Sequence, residues 1–278
     1  GNPAGVVLDA DNLSEEDKLN IAAQVGLSET AFVSQSDVAD FKLDFFTPNR
    51  RIAHCGHATI ATFSYLTELG RVSEGETSKE TVDGPRKILI KNGAAFMEQL
   101  APTYRMPSDW QSQGVTAQDV LTSLGLSERD LDPRIGPVLV NTGNSFVVVA
   151  VADTSILGAI TPNFAQIADI SEKLDLIGYY IFTTETESTD RDATTRMFGP
   201  RFAIEEESAT GMAAGPLACL LYDYLDNKKE TLMIEQGNFM HPASPSKISV
   251  ELIIENAQIK GLMAGGYGKV MAQLDITL

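Results

Sequence analysis

Gly1-Asn2-Pro3-Ala4-Gly5-Val6-Val7-Leu8 returns as Gly143-Asn144-Ser145-Phe146-Val147-Val148-Val149-Ala150, an offset of 142. In each copy a turn leads into a β-branched run, which reads as a strand. The echo continues in order. Apolar residues at helical spacing, Leu19, Ile21, Ala22 and Val25, are answered by Phe164, Ile167, Ile170 and Leu174. Short strands follow at Glu29-Thr30-Ala31-Phe32-Val33-Ser34 and Tyr179-Tyr180-Ile181-Phe182-Thr183-Thr184. Phe45-Phe46-Thr47-Pro48 and Met197-Phe198-Gly199-Pro200, offset 152, each end in a proline that cannot donate to a ladder. Last, Cys55-Gly56-His57-Ala58-Thr59 and Thr210-Gly211-Met212-Ala213-Ala214, offset 155, lead into long apolar helices expected over 58–69 and 213–225.

Order kept across these elements while the offset grows only from 142 to 155 marks a duplication of domain-sized units, not a solenoid. The expected fold class is α+β: two pseudo-equivalent lobes, each a sheet rolled around one central helix. Pro102, Pro107, Ser108, Ser112 and Gly114 place the boundary between them, giving lobes of 1–107 and 108–278, with the last strand an option to return to the first lobe. The strand 138–141 precedes Gly143, and its counterpart would lie upstream of Gly1, so the first lobe is expected to lack its first strand. Runs at 247–254 and 269–276 are predicted as C-terminal strands.

Composition narrows the function. The 278 residues, 43% hydrophobic, suffice for a large core, and 38 acidic against 21 basic side chains give a net charge of −17. That balance repels a phosphate backbone, so nucleic acid is not an expected partner. The chain has no apolar run of membrane length and no signal-like start, so no membrane role is expected. Two cysteines, Cys55 and Cys219, fit a reducing cytoplasm. A homodimer is an open expectation.

A glycine opening a buried helix leaves the first amide N–H groups free at the positive end of the dipole, a cradle for an anion. The pair Gly56-His57 and Gly211-Met212 occupies corresponding places in the repeat, so the two starts are expected to hold one carboxylate-bearing substrate in a cleft between lobes. For a single such glycine, close helix packing is the more economical account. Glu29, beside apolar Leu27 and Phe32, is the candidate acid–base group, its pKa expected to rise by desolvation. A helix-terminus or surface glutamate is the plainer alternative. Cys55, flanking a helix N-terminus, is a second candidate base, though its repeat partner is Thr210. Cys219, inside an apolar helix, reads as core. Glu207, in the run Glu205-Glu206-Glu207, is a candidate for a substrate amine or hydroxyl, against the ordinary reading of a solvated face. His54, Cys55 and His57 do not make a convincing zinc set, because His54 and Cys55 are adjacent and the remaining His241 stands alone, so no metal is expected.

With Gly1-Asn2-Pro3, Leu27-Ser28-Glu29-Thr30-Ala31-Phe32-Val33, Phe46-Thr47-Pro48, Gly56-His57-Ala58-Thr59, Arg196-Met197-Phe198 and Ala209-Thr210-Gly211-Met212-Ala213-Ala214-Gly215-Pro216 in order, the chain resembles the PhzF-like phenazine-biosynthesis protein family over nearly its whole length. The resemblance implies a diaminopimelate epimerase-like fold, an isomerase without metal or organic cofactor, and Glu29 as the residue that transfers the proton. It also implies that Ser28, Gly56, His57, Gly211 and Met212 contact substrate. The phenazine enzyme has Ala in place of Cys55, Asp-Pro in place of Glu207-Ser208 and Ser in place of Met212. Cys55 opposite Thr210 is also similar to hydroxyproline dehydratases of the proline racemase group, which use one cysteine base. Three readings therefore stand: a Glu29 proton-transfer isomerase, a Cys55-based dehydratase or epimerase, and a non-catalytic metabolite-binding protein.

Overall fold

A computed structural model describes residues 1–53 and 55–278; His54, named above in the zinc set, lies outside the described residues. The chain divides into two compact units. The first comprises Asn2–Glu98 with Gly265–Leu278, the second Gly1 with Gln99–Ala264. The division thus falls at 98/99, where the sequence suggested 107/108, and the final residues join the first unit.

In chain order the first stretch contains β1 (Gly5–Val7), α1 (Glu15–Val25), β2 (Thr30–Ser34), β3 (Phe41–Phe46), β4 (Arg51–Ile52), α2 (Gly56–Glu68), β5 (Gly75–Thr81), β6 (Gly84–Lys91) and β7 (Ala94–Leu100). Then follow β8 (Thr103–Arg105), α3 (Pro107–Trp110), α4 (Ala117–Ser123), β9 (Val138–Asn141), β10 (Ser145–Ala150), α5 (Thr154–Ala159), α6 (Phe164–Leu174), β11 (Gly178–Thr183) and β12 (Ala193–Gly199). The chain closes with β13 (Ile204–Glu207), α7 (Gly211–Tyr224), β14 (Thr231–Gln236), β15 (Ser246–Glu255) and β16 (Gln258–Gly266).

The repeat read from sequence is repeated in topology. The first unit orders its strands β1-β2-β3-β5-β6-β7 with β4 beside β3; the second runs β10-β11-β12-β14-β15-β16 with β13 beside β12, extended by β9 and β8. Directions match too: β1 and β2 are parallel as are β10 and β11, and β3 and β5 are parallel as are β12 and β14. The pairs β2–β3 and β11–β12 are antiparallel.

Period-2 alternation explains the wrapping. On β2, Ala31 and Val33 face a core built on Ala58, Phe63 and Leu66 of α2, while Phe32 faces outward onto Ile21 and Ala22 of α1. On β11, Tyr180 and Phe182 face Ala213, Leu217 and Leu221 of α7, while Tyr179 and Ile181 face Ile167 and Leu174 of α6. Each sheet therefore buries one helix inside and carries another outside, with each buried large side chain contributing about 1.5–3 kcal/mol.

One predicted strand is absent. Residues 269–276 form no strand, and β16 at Gln258–Gly266 supplies it instead. Val270, Ala272 and Leu274 alternate suitably but the segment is mostly exposed and joins no ladder, whereas β16 has neighbours to pair with. No helix among the described residues is long and apolar enough to cross a membrane.

Candidate active site

In the first unit, Gly26 ends α1 in the left-handed conformation, φ 68°, donating its N–H to Ala22 O at 3.1 Å. The chain reverses there and delivers Ser28 and Glu29 to the start of β2. Glu29 is pinned by its backbone, since Gly5 N donates to Glu29 O at 2.9 Å. Across from it, Cys55 is the N-cap of α2, Gly56 the first helical residue and His57 the second.

These residues converge. His57 Nε2 lies 3.2 Å from Glu29 Oε2, both side chains largely buried. On its other side, His57 Nδ1 lies 3.4 Å from Cys55 Sγ. The imidazole thus stands between a carboxylate and a thiol. Buried Oε2 of Glu29 completes no well-directed hydrogen bond despite its closeness to the ring.

The expected rise in the Glu29 pKa is not what the environment produces. Burial pushes the carboxyl up, but hydrogen bonds from His57 and Ser28 and the charge of His57 outweigh it and hold the group below its ordinary value. The free site therefore keeps Glu29 ionised, in the form that accepts a proton. The sequence showed the apolar neighbours but not the imidazole folded onto the carboxylate.

Gly56 is not a packing glycine. It has an ordinary φ, and a Cβ built there meets nothing within 4 Å. Open space therefore faces Gly56, at the end of α2 where the leading amides have no partner within the helix.

The second unit has its own counterpart. Thr210 is the N-cap of α7, and its hydroxyl donates to Glu207 Oε2 at 2.5 Å. A Cβ on Gly211 would meet only Ala264 Cβ at 3.9 Å, an ordinary contact. Met212 Sδ lies 3.4 Å from Asn144 Nδ2. Of the acidic run, Glu205 is exposed, Glu206 grips Arg196 through both oxygens at 2.9 and 2.8 Å, and Glu207 alone turns to the helix start.

Sequence reasoning did not find Gln236. Fully buried on β14, it donates through Nε2 to Glu207 O at 2.6 Å and to Thr210 Oγ1 at 3.1 Å, and accepts from Thr210 N and Tyr180 OH at Oε1. Gln99 was also missed; its Nε2 donates to Gly211 O at 2.9 Å. Amides fixing a neighbouring loop leave no spacing motif. The two groups of candidates are thus assembled separately: Ser28, Glu29, Cys55, Gly56 and His57 in one unit, Glu207, Thr210, Gly211 and Met212 in the other.

A duplicated α+β architecture, with each rolled sheet enclosing a helix that opens on a glycine, defines a recognisable class of proteins. The chain belongs to the phenazine biosynthesis-like (PhzC-PhzF) family, which matches residues 1–271. It is 30% identical over 271 residues to the uncharacterized isomerase YfhB of Bacillus subtilis, covering 95% of this chain and 90% of that one. It is 29% identical over 227 residues to the trans-2,3-dihydro-3-hydroxyanthranilate isomerase of Pseudomonas chlororaphis, covering 78% and 73%. The crystal structure of a Bacillus anthracis PhzF-family phenazine biosynthesis protein superposes with a TM-score of 0.81 at 30% identity, over 97% of this chain and 92% of that one. At 13% identity, a hydroxyproline epimerase from Agrobacterium vitis shares the fold alone, with a TM-score of 0.52 over 94% and 80%.

Proposed function

We propose that this protein is a cofactor-independent isomerase that moves a proton between carbons of a small carboxylate-bearing metabolite, with Glu29 as the acid–base group. The observation that carries the reading is the largely enclosed Glu29 carboxylate held 3.2 Å from His57 beside an open helix start. The kinship with the Pseudomonas chlororaphis isomerase supports it.

The chemistry follows from the arrangement. A substrate carboxylate docks at the start of α2, where the leading amides and the positive end of the helix dipole stabilise the enolate-like charge that grows as the C–H bond breaks. Glu29 takes the proton. Once neutral, it no longer attracts the His57 ring, which is then free to face the anionic substrate. Burial now favours the neutral carboxyl, and release of the same proton to a second carbon restores the ion pair. In the other unit, Glu207 and the α7 start offer a second polar cradle, and we assign it to substrate groups as well. We place the enzyme in the cytoplasm, in keeping with its two free cysteines, and as a homodimer.

A second reading rests on Cys55 Sγ standing 3.4 Å from His57 Nδ1, the spacing of a thiol and its base. It makes Cys55 the base of a dehydratase or epimerase. The test begins with a metabolite extract incubated in deuterium oxide, where mass spectrometry reports any compound that gains carbon-bound label. With that compound, or with trans-2,3-dihydro-3-hydroxyanthranilate as the first candidate, Glu29→Gln is expected to bind normally but lose about 10²-fold or more in exchange rate. Cys55→Ala is expected to lose less than about tenfold. The reverse order moves the base to the thiol, and binding without any exchange makes the protein a metabolite binder.

A further inference from the structure

Glu29, Cys55 and His57 hold three different donor types within 4.8 Å of one another. We propose that they form a reversible Zn²⁺ site, at which a soft divalent cation occupies and blocks the acid–base group. The inhibitory meaning of the site rests on the reading of Glu29 as that group; the binding itself does not.

Geometry carries the argument. Zinc takes sulfur at about 2.3 Å, imidazole nitrogen at about 2.0–2.1 Å and carboxylate oxygen at about 2.0–2.2 Å, so the edges of its tetrahedron run to about 3.3–3.6 Å. Two of the three edges are 3.9 Å from Cys55 Sγ to His57 Nε2 and 3.2 Å from His57 Nε2 to Glu29 Oε2, and the third lies within 4.8 Å. To close on a metal at Nε2 the sulfur turns from the Nδ1 side of the ring, where it stands 3.4 Å away, and the ring or thiol rotamer supplies that turn. Oε2 of Glu29 is buried and stands 3.2 Å from the imidazole, so the oxygen that faces the ring is the one the carboxylate would offer a metal. Sulfur, imidazole and carboxylate together suit zinc, while calcium and magnesium prefer oxygen throughout.

The ligands come from fixed places: the residue before β2, the N-cap of α2 and its first turn. Sequence reasoning discounted zinc because His54 and Cys55 are neighbours with no further ligand nearby; the fold supplies Glu29 as that ligand. Three protein ligands leave a fourth position open. A thiolate and a carboxylate also neutralise both charges of the ion. Two features oppose it: the positive end of α2 and the buried Lys79 ammonium, whose charge is felt at Cys55. Their repulsion makes the site exchangeable and not a permanent structural centre.

The experiment uses Co²⁺ as a spectroscopic stand-in and Zn²⁺ by calorimetry, on chelator-treated full-length protein kept reduced with a phosphine. Cobalt is expected to give a thiolate-to-metal charge-transfer band saturating at one equivalent, which Zn²⁺ abolishes by displacement. Cys55→Ala is expected to lose the band, Cys219→Ser to keep it, and His57→Asn and Glu29→Gln to weaken Zn²⁺ by more than about tenfold, the loss that even outer supporting groups produce. Thermal unfolding of each variant verifies its fold, and if one unfolds, the remaining ligand variants decide. No band, a band surviving in Cys55→Ala, or zinc affinity indifferent to both His57 and Glu29 overturns the proposal. Binding and catalysis separate cleanly: proton exchange by metal-free enzyme that binds no cobalt rejects the zinc site alone, while cobalt binding without exchange by metal-free enzyme leaves the site and rejects the acid–base reading.

Discussion

Lys79 carries its ammonium into the interior of the first unit, where Thr59 Oγ1 accepts its hydrogen bond at 2.6 Å and the Phe45 ring lies 5.3 Å away. Thr59 Oγ1 in turn donates to Cys55 O at 2.7 Å, so the lysine is tied through one hydroxyl to the start of α2. Burial lowers its pKa from 10.5 to about 8, with Cys55 pulling it up and Arg86 pushing it down. Below about 8 both folded and unfolded chains are protonated and the full cost of the buried charge, about 3 kcal/mol, is borne by the fold. Between about 8 and 10.5 the folded chain sheds the proton first, so stability rises with pH. Lys79→Met is expected to stabilise the protein at pH 7 by about 1–3 kcal/mol and to flatten that rise, as read by urea unfolding at neutral and alkaline pH. The same change frees Thr59 and is expected to lower turnover. A variant no more stable at pH 7, with the alkaline slope intact, would show that the buried amine carries no such cost.

At the scale of elements, glycines that look alike in sequence do different work. Gly215 lies inside α7, where a Cβ would stand 2.3 Å from Gln99 Oε1 and 2.8 Å from Leu262 Cδ1. Gly215→Ala is expected to cost about 1–3 kcal/mol. Gly56→Ala meets open space and gains helix propensity, so its stability is expected within about 1 kcal/mol of the parent, while ligand binding falls because the methyl enters the anion cradle. Paired denaturation and binding titrations check both, and a stable Gly56→Ala that binds as tightly as the parent would remove the cradle from the α2 start. The glycine-led starts were legible because a motif at a constant place in a repeat is visible as text. β16 was not, since Gly261, Gly265 and Gly266 weaken it as a strand. Gly265 is there because a side chain would strike Ala95 O at 2.0 Å, a contact that only the folded ladder reveals. Glu29 was legible as a candidate from its Ser-Glu-Thr setting, but its charge state depended on His57 folding back from another element.

At the scale of the whole molecule, carboxylates decide how the acid end of the stability curve behaves. Burial raises the Asp44 carboxyl, but the hydrogen bond and charge of Lys18, together with Arg51, hold it below 3.8. Asp132, bonded by Arg134, and Asp192, where Lys229, Met233 N and Asn227 outweigh burial, are depressed likewise. A depressed folded pKa contributes stability that is present above the unfolded value and lost as pH falls through the folded one. Stability is therefore expected to hold near neutrality, to drop below about pH 4, and to drop less steeply in Asp44→Asn, whose neutral-pH stability is already lower by about 3 kcal/mol; acid titration followed by circular dichroism reads the difference. The first unit also draws on both ends of the chain. Gly268 N donates to Ser64 Oγ at 2.8 Å, Gln24 Nε2 reaches Thr277 O at 3.2 Å, and Ile276 packs with the cluster under α1. On the ribosome, the stretch bearing Glu29, Cys55 and His57 emerges ahead of the bulk of the second unit, yet its closing segment, Gly265–Leu278, is synthesised after Ala264, the last residue of that unit. Ribosome-stalled chains ending before Gly265 are expected to leave α2 open to protease until translation runs on, so the unit begun before its neighbour matures after it.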